Sequence, residues 1–219
     1  MEAGNKVVDL RKLLAARFPH PSSSPISVLP TGNQLLDQIA GGGLPKSAIT
    51  ELITPKHSAG SASLIHALLQ SAERARHFMA LIDGSDSFDP GSSDNSTLPH
   101  LLWVRCRKAF DAIKAADFLL RDGNFPLVIV DLVLNPADEL RKIPQTSWYR
   151  LQRLVEAVPT ACLIINRQGI VSSAQLKIVL DNSWSIADLE KQNAMSKLRF
   201  RVQRAHMKSL VTGHRSLVT

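Results

Sequence analysis

The chain has few of the residues that staple or metallate a small fold. Its 2 cysteines, Cys106 and Cys162, each lie inside an apolar stretch. That excludes a disulfide framework and points to reduced core thiols of a cytoplasmic protein. His57 and His66 have no cysteine or acid pair beside them to complete a zinc site. No Ser/His/Asp set carries a specific spacing, and there is no internal repeat. No run approaches the ~18 uncharged apolar residues of a membrane span. The opening MEAGNKVVDLRKLLAARFPH is charged throughout and lacks the apolar region and cleavage site of a signal peptide.

Acid is missing from one end. Residues 1–190 hold 19 basic and 19 acidic side chains, so the whole net charge of +7 lies in residues 191–219. Lys191, Lys197, Arg199, Arg201, Arg204, Lys208 and Arg215 stand there without an acidic neighbour. A local positive field of this kind attracts nucleic acid or an acidic partner; the alternative is a solubilising tail.

What remains is enough hydrophobic sequence, 44% of 219 residues, for one α/β domain with extensions. Val7, Leu10, Leu13, Leu14 and Phe18 recur at helical spacing over 5–18. PHPSSSP (19–25) then forms a linker that cannot continue a helix. The division expected is 1–25 helix and linker, 26–190 core, 191–219 basic segment. The core alternates: strands at 48–53, 78–83, 101–106, 126–133 and 160–166, with helices at 61–76, 108–121 and 146–157. Late strands follow at 175–184 and 197–205. Apolar strands alternating with helices predict a mostly parallel sheet covered on both faces, with ligand sites past the strands' carboxyl ends. Phe200 alternates against Arg199 and Arg201, which reads as a core residue and not a base-stacking platform. Trp148 and Tyr149 are expected at the surface, with a partner interface as the alternative reading. GGGLPK reads as a turn.

Three features belong at those strand ends. TPKHSAGSASL (54–64) has the setting of a phosphate-binding loop, which needs G-x-x-x-x-G-K-[ST]. Gly60 survives at the helix start, and Thr54 stands near the first glycine with one extra residue between. Ser61 replaces the lysine, and Ser63 could supply a hydroxyl. Lys56 lies at the wrong end of the loop. LIDGSDSFDP (81–90) ends a strand in Asp83, and VIVDL (128–132) ends another in Asp131, which suits a carboxylate holding Mg²⁺ through water. Thr54, Gly60, Ser61, Ser63 and Asp131 are thus the candidate remnant of a nucleotide site.

Taken in order, these segments resemble the RecA recombinase family over roughly residues 26–185. The family's opening segment is matched by VLPTGNQLLDQIAGGGLPKSAITEL (28–52), its strand-end motif by LIDGSDSFDP, its Walker B by VIVDL, and its strand before the second DNA loop by LIIN (163–166). LLWVRCR (101–107) and the run Arg141–Leu154 are similar to the ImuA-type branch, accessory proteins of bacterial mutagenic repair. The resemblance implies a RecA-like mostly parallel sheet flanked by helices, with a degenerate P-loop. The family's catalytic glutamate falls at Ser85 and its phosphate-loop lysine at Ser61, so two catalytic elements are missing. No catalytic residue, no resident cofactor and no metal are expected; ATP with Mg²⁺ could bind but should not be hydrolysed.

The branch implies an inactive accessory protein of translesion synthesis and SOS mutagenesis, cytoplasmic and nucleoid-associated. Its implied partners are an ImuB-type Y-family polymerase-like protein and RecA itself. The family also lends an N-terminal element to a neighbour, so 5–18 is a candidate for self-association. RQGIVSSAQ (167–175), at the place of the second DNA loop, offers only Arg167. Lys197, Arg199, Arg201, Arg204 and Lys208 are therefore the better DNA candidates, since affinity tracks the number of phosphate contacts. Two alternatives stay open: a divergent ATP-binding, DNA-dependent ATPase or recombinase using Lys56, and a SulA-type cell-division inhibitor.

Overall fold

A computed structural model describes residues 27–56, 60–182 and 198–205. The expected helix over 5–18, its linker, His57, Lys197 and Lys208 lie outside them. A two-stranded ribbon opens the described chain: β1 (Val28–Leu29) runs antiparallel to β2 (Leu44–Pro45), with helix α1 (Gln34–Ile39) between. Asn33 caps α1 by accepting the Leu36 N–H at 2.9 Å. The glycine run does turn, but it delivers a strand. Gly43 has φ 148°, and a Cβ there would sit 2.3 Å from the Leu29 carbonyl oxygen, so only glycine lets the ribbon close.

Seven strands make the main sheet: β3 (Ala48–Ile53), β4 (Met79–Asp83), β5 (Leu101–Arg105), β6 (Leu127–Asp131), β7 (Ala161–Asn166), β8 (Leu176–Leu180) and β9 (Phe200–Ala205). Their order is β5-β4-β6-β7-β3-β8-β9. Every neighbouring pair is parallel except β8 with β9. The expected α/β architecture is therefore present. Helices α2 (Ser61–Arg74), α3 (Ala109–Asp122), α4 (Ala137–Arg141) and α5 (Gln145–Glu156) supply the crossovers.

Strand periodicity divides the core. Leu52, Met79, Leu81, Leu127, Ile129, Leu163 and Ile165 face α1 and α2, where Leu64, Ile65, Leu68 and Leu69 are buried. Ile49, Ala80, Ile82, Val128, Val130, Cys162 and Ile164 face α3, α4 and α5. Alternate residues of one strand thus serve two cores, which is why these strands read as continuous apolar runs.

One expectation is corrected. Trp148 is not at the surface: it is 1% exposed and packs with Leu151 and Val155 against the sheet, while its neighbour Tyr149 is 53% exposed. Successive helical residues point about 100° apart, and the side chains at 148, 151 and 155 form the inward stripe. The late strand expected at 197–205 is present as β9, within the basic segment. β9 pairs with β8 from Leu180↔Phe200 to Leu176↔Ala205. Phe200 packs against the first core cluster and Leu198 is buried, in line with the alternation read from the sequence.

Trp148→Ala is expected to cost about 3–5 kcal/mol, whereas Tyr149→Ala should stay within about 0.5. Chemical denaturation of the two variants tests this; equal losses would return Trp148 to the surface.

Candidate nucleotide-type site and basic edge

The carboxyl ends of five parallel strands are laced together by backbone bonds. Cys106 N–H donates to the Asp83 carbonyl at 2.8 Å, Gly84 N–H to Asp131 at 2.9 Å, Leu132 N–H to Ile165 at 2.9 Å, and Thr54 N–H to Asn166 at 2.8 Å. Thr54, Asp83, Asp131 and Asn166 therefore sit along one crest. β3 leads into α2 on one face of the sheet. Its neighbour β7 leads into residues 167–175, whose Ile170, Val171 and Ala174 pack on the other. Adjacent strands whose connections leave to opposite faces open a crevice at their carboxyl ends, where ligands bind in open α/β sheets.

Gly60 precedes α2 with φ 94° and, as a glycine, has no side chain to cap the helix. Its first-turn N–H groups, from Ser61 to Ser63, lack intrahelical acceptors and suit an anion. Ser61 and Ser63 are half-buried at this end, while Thr54 is fully buried with its hydroxyl 3.4 Å from the Asn166 carbonyl. Lys56, the cation of the ATPase alternative, pairs instead with Asp181 at 3.4 Å.

Asp83 and Asp131 lie in register on β4 and β6, yet their environments differ. Asp83 accepts N–H bonds from Ser85 (3.2 Å), Ser87 (2.7 Å) and Phe88 (2.7 Å), so its carboxylate folds the following loop. Ser85 is held inside that turn. Asp86 follows at φ 55° and turns outward to a bidentate pair with Arg105, at 2.5 and 2.8 Å. Arg105 in turn lies over the Trp103 ring, 4.8 Å from its centroid. Asp131 accepts one N–H, from Val133 at 3.0 Å. Desolvation, with the Asp83 charge beside it, pushes its carboxyl up to about 6 despite that bond.

Several site residues were not among the sequence candidates. Asn135 donates from Nδ2 to the Gly84 carbonyl at 2.8 Å, and its Oδ1 lies 2.3 Å from where a Cβ on residue 84 would stand. Glycine at 84 is thus what lets the β4 and β6 loops touch. Glu51, central in β3 and fully buried, accepts from Asn166 Nδ2 and the Val171 N–H at 2.8 Å each and pairs with Lys177 at 2.6 Å. Asn166 Oδ1 also takes the N–H groups of Gln168 and Gly169. A glutamate in the buried-type strand AITELI was the available signal; its partners, over 100 residues away, were not legible.

The basic edge is a second assembly. Arg199, Arg201 and Arg204 are exposed on or beside β9, and Arg167 is half-buried in the loop after β7. Arg204 Nη1 donates to the Ser172 carbonyl at 3.4 Å. The loop after β7 and the basic strand, distant in sequence, therefore adjoin. Among the described residues no cluster of His, Cys, Asp and Glu suits a metal ion, and no helix is long and apolar enough to cross a membrane.

The family model for the RecA N-terminal domain matches residues 15–154. Protein RecA of Clavibacter michiganensis subsp. michiganensis is 34% identical over 120 residues, 53% of this chain and 33% of that protein. Protein RecA of Mycobacteroides abscessus is 34% identical over 112 residues, 50% and 32%. Protein RecA of Corynebacterium pseudotuberculosis is 31% identical over 137 residues, 60% and 37%. The chain spans about a third of the length of the curated relatives it matches.

Asp131 makes stability pH-dependent with a definite sign. Its folded pKa, about 6, lies above the ordinary carboxylate value near 4. Between these the folded state holds a proton the unfolded state has lost, so stability falls as pH rises through that window. Asp131→Asn should gain up to about 3 kcal/mol at pH 7 and little at pH 4. Denaturation midpoints of wild type and variant across that range test it; parallel curves would refute the shift.

Proposed function

The chain belongs to the RecA N-terminal domain family, a family of DNA repair and recombination, and we propose that it acts there without catalysing phosphoryl transfer. In this reading it is an ImuA-type accessory protein of translesion synthesis and the SOS response. It uses a RecA-like core as a scaffold for a polymerase-related partner and for DNA. What supports the reading is that α2 begins with Ser61 and Ser85 follows β4, at the positions where the resemblance to RecA puts the phosphate-loop cation and the water-orienting carboxylate.

Phosphoryl transfer depends on positioned charge, and losing one electrostatic donor typically costs ~10²–10³ in rate. The groups nearest to substitutes are engaged elsewhere. Lys56 pairs with Asp181, and Asp86 with Arg105. The α2 terminus, preceded by Gly60, presents first-turn N–H donors, so weak anion binding without turnover fits the same geometry. For DNA, the reading draws on Arg199, Arg201 and Arg204 along the open edge, next to the loop that bears Arg167. Three or four phosphate contacts give modest, salt-sensitive affinity. A nucleoid-associated cytoplasmic location follows from this role.

Two assays test it. Purified protein should release phosphate from ATP·Mg²⁺ no faster than Asp131→Ala, with or without single-stranded DNA. DNA-stimulated turnover abolished by that substitution would establish the ATPase alternative instead. Arg201→Glu with Arg204→Glu should weaken single-stranded DNA binding at least about tenfold and reduce the salt slope by roughly 0.7 per lost contact. Unchanged affinity and slope would remove the basic edge from the DNA role.

A further inference from the structure

The layer of helices on the far side of the sheet from α2 carries a surface that the proposed function does not use. A groove of about 230 Å³ runs between α3 and α5. Ile113 and Leu151, both buried, form its floor, and the Phe110 ring, 48% exposed, forms a wall. That is room for one large apolar side chain, with an aromatic face to pack against.

Its rim is cationic. Asp117 lies at the groove, but Arg150 binds it through Nε and Nη2 at 2.5 and 3.2 Å, and Arg121 binds it at 2.9 Å. These hydrogen bonds, Arg150's foremost, hold the Asp117 carboxyl below its usual range. Two guanidinium groups on one carboxylate leave an excess positive charge. Lys114 spends one contact on Asp111 at 3.0 Å and lies 4.9 Å over the Phe110 ring. An ammonium has three donors and a guanidinium five. Both Lys114 and Arg150 therefore keep donors to offer at the rim, where their side chains are 63% and 61% exposed.

We propose that this groove docks a protein segment presenting one large apolar side chain flanked by carboxylates. The apolar group would enter over Ile113 and Leu151, and the carboxylates would meet Lys114 and Arg150. Charge argues against the chain's own residues 5–18 as the occupant. They carry Lys6, Arg11, Lys12 and Arg17 against Asp9 alone and would bring like charge to the rim. The apolar floor and the built-in Asp117 argue against a nucleic-acid backbone. The proposal does not rest on the functional reading above.

The probe is a fluorescein-labelled peptide of about twelve residues with a central Leu-Phe pair flanked by aspartates, titrated with the full chain. Anisotropy should report a Kd on the order of 10–100 µM. Lys114→Glu should weaken binding at least about tenfold. Replacing the Leu-Phe pair by Ser-Ser should abolish it, and amide shifts on titration should cluster on α3 and α5. Lys114 lies outside the Asp117 bridge, so its substitution leaves the fold intact, which circular dichroism checks. Undiminished binding by folded Lys114→Glu would overturn the proposal. So would shifts centred on β9, displacement of the peptide by a short single-stranded oligonucleotide, or no binding at millimolar protein.

Discussion

Glu51 is the interaction on which the arrangement of the site depends. A carboxylate at the centre of a parallel sheet is costly to bury unless it is paired and hydrogen-bonded. Here Oε1 accepts from Asn166 Nδ2 and the Val171 N–H, and Oε2 faces the Lys177 ammonium. Those partners belong to β7, to the loop after it and to β8. One side chain therefore joins three neighbouring strands and the start of the loop that adjoins the basic edge. The Thr54 N–H bond to Asn166 ties the same centre to the start of the phosphate-type loop. Breaking a buried pair on one side typically costs about 3–5 kcal/mol, because the other charge is left without a partner. The strand order around β3 and the path of residues 167–171 are thus held by one electrostatic knot.

Along the carboxyl edge built on that knot, several charged groups of the described residues are engaged in structural contacts. Asp83 is committed to folding its own loop, Asp86 to Arg105, and Lys56 to Asp181. The first-turn N–H groups of α2 and the hydroxyls of Ser61 and Ser63 offer dipoles, not ionic charge. In the proposed reading, such an edge attracts an anion without a fixed cation to stabilise charge that develops during transfer. This contrast between retained donors and a missing charge is the physical basis for reading the core as a scaffold.

Much of the fold was legible because the strands are short, apolar and separated by helical periodicity. VIVDL and CLIIN were readable as buried strands, and Leu64, Ile65, Leu68 and Leu69 as the inner face of α2. The β1–β2 ribbon was not, since two-residue strands carry no period and exist only because Gly43 lets one chain cross the other. Trp148, next to Tyr149 and close to Arg150 and Arg153, reads as surface until the helix phase is fixed by Leu151 and Val155. Asp83 and Asp131 could be named as strand-end carboxylates, but their different duties depend on the loop N–H groups around each.

The amino-acid sequence alone determined the alternation of strands and helices, the parallel character of the sheet, and the identities Ser61 and Ser85 at the crest. Local side-chain pattern and residue type suffice for all of these. Only the tertiary structure decided which distant groups meet: Glu51 with Lys177 and Asn166, Arg204 with Ser172, and Asp117 with Arg150. Contacts between residues far apart in sequence are set by strand order and helix phase. A one-dimensional pattern does not encode them until the chain has closed on itself.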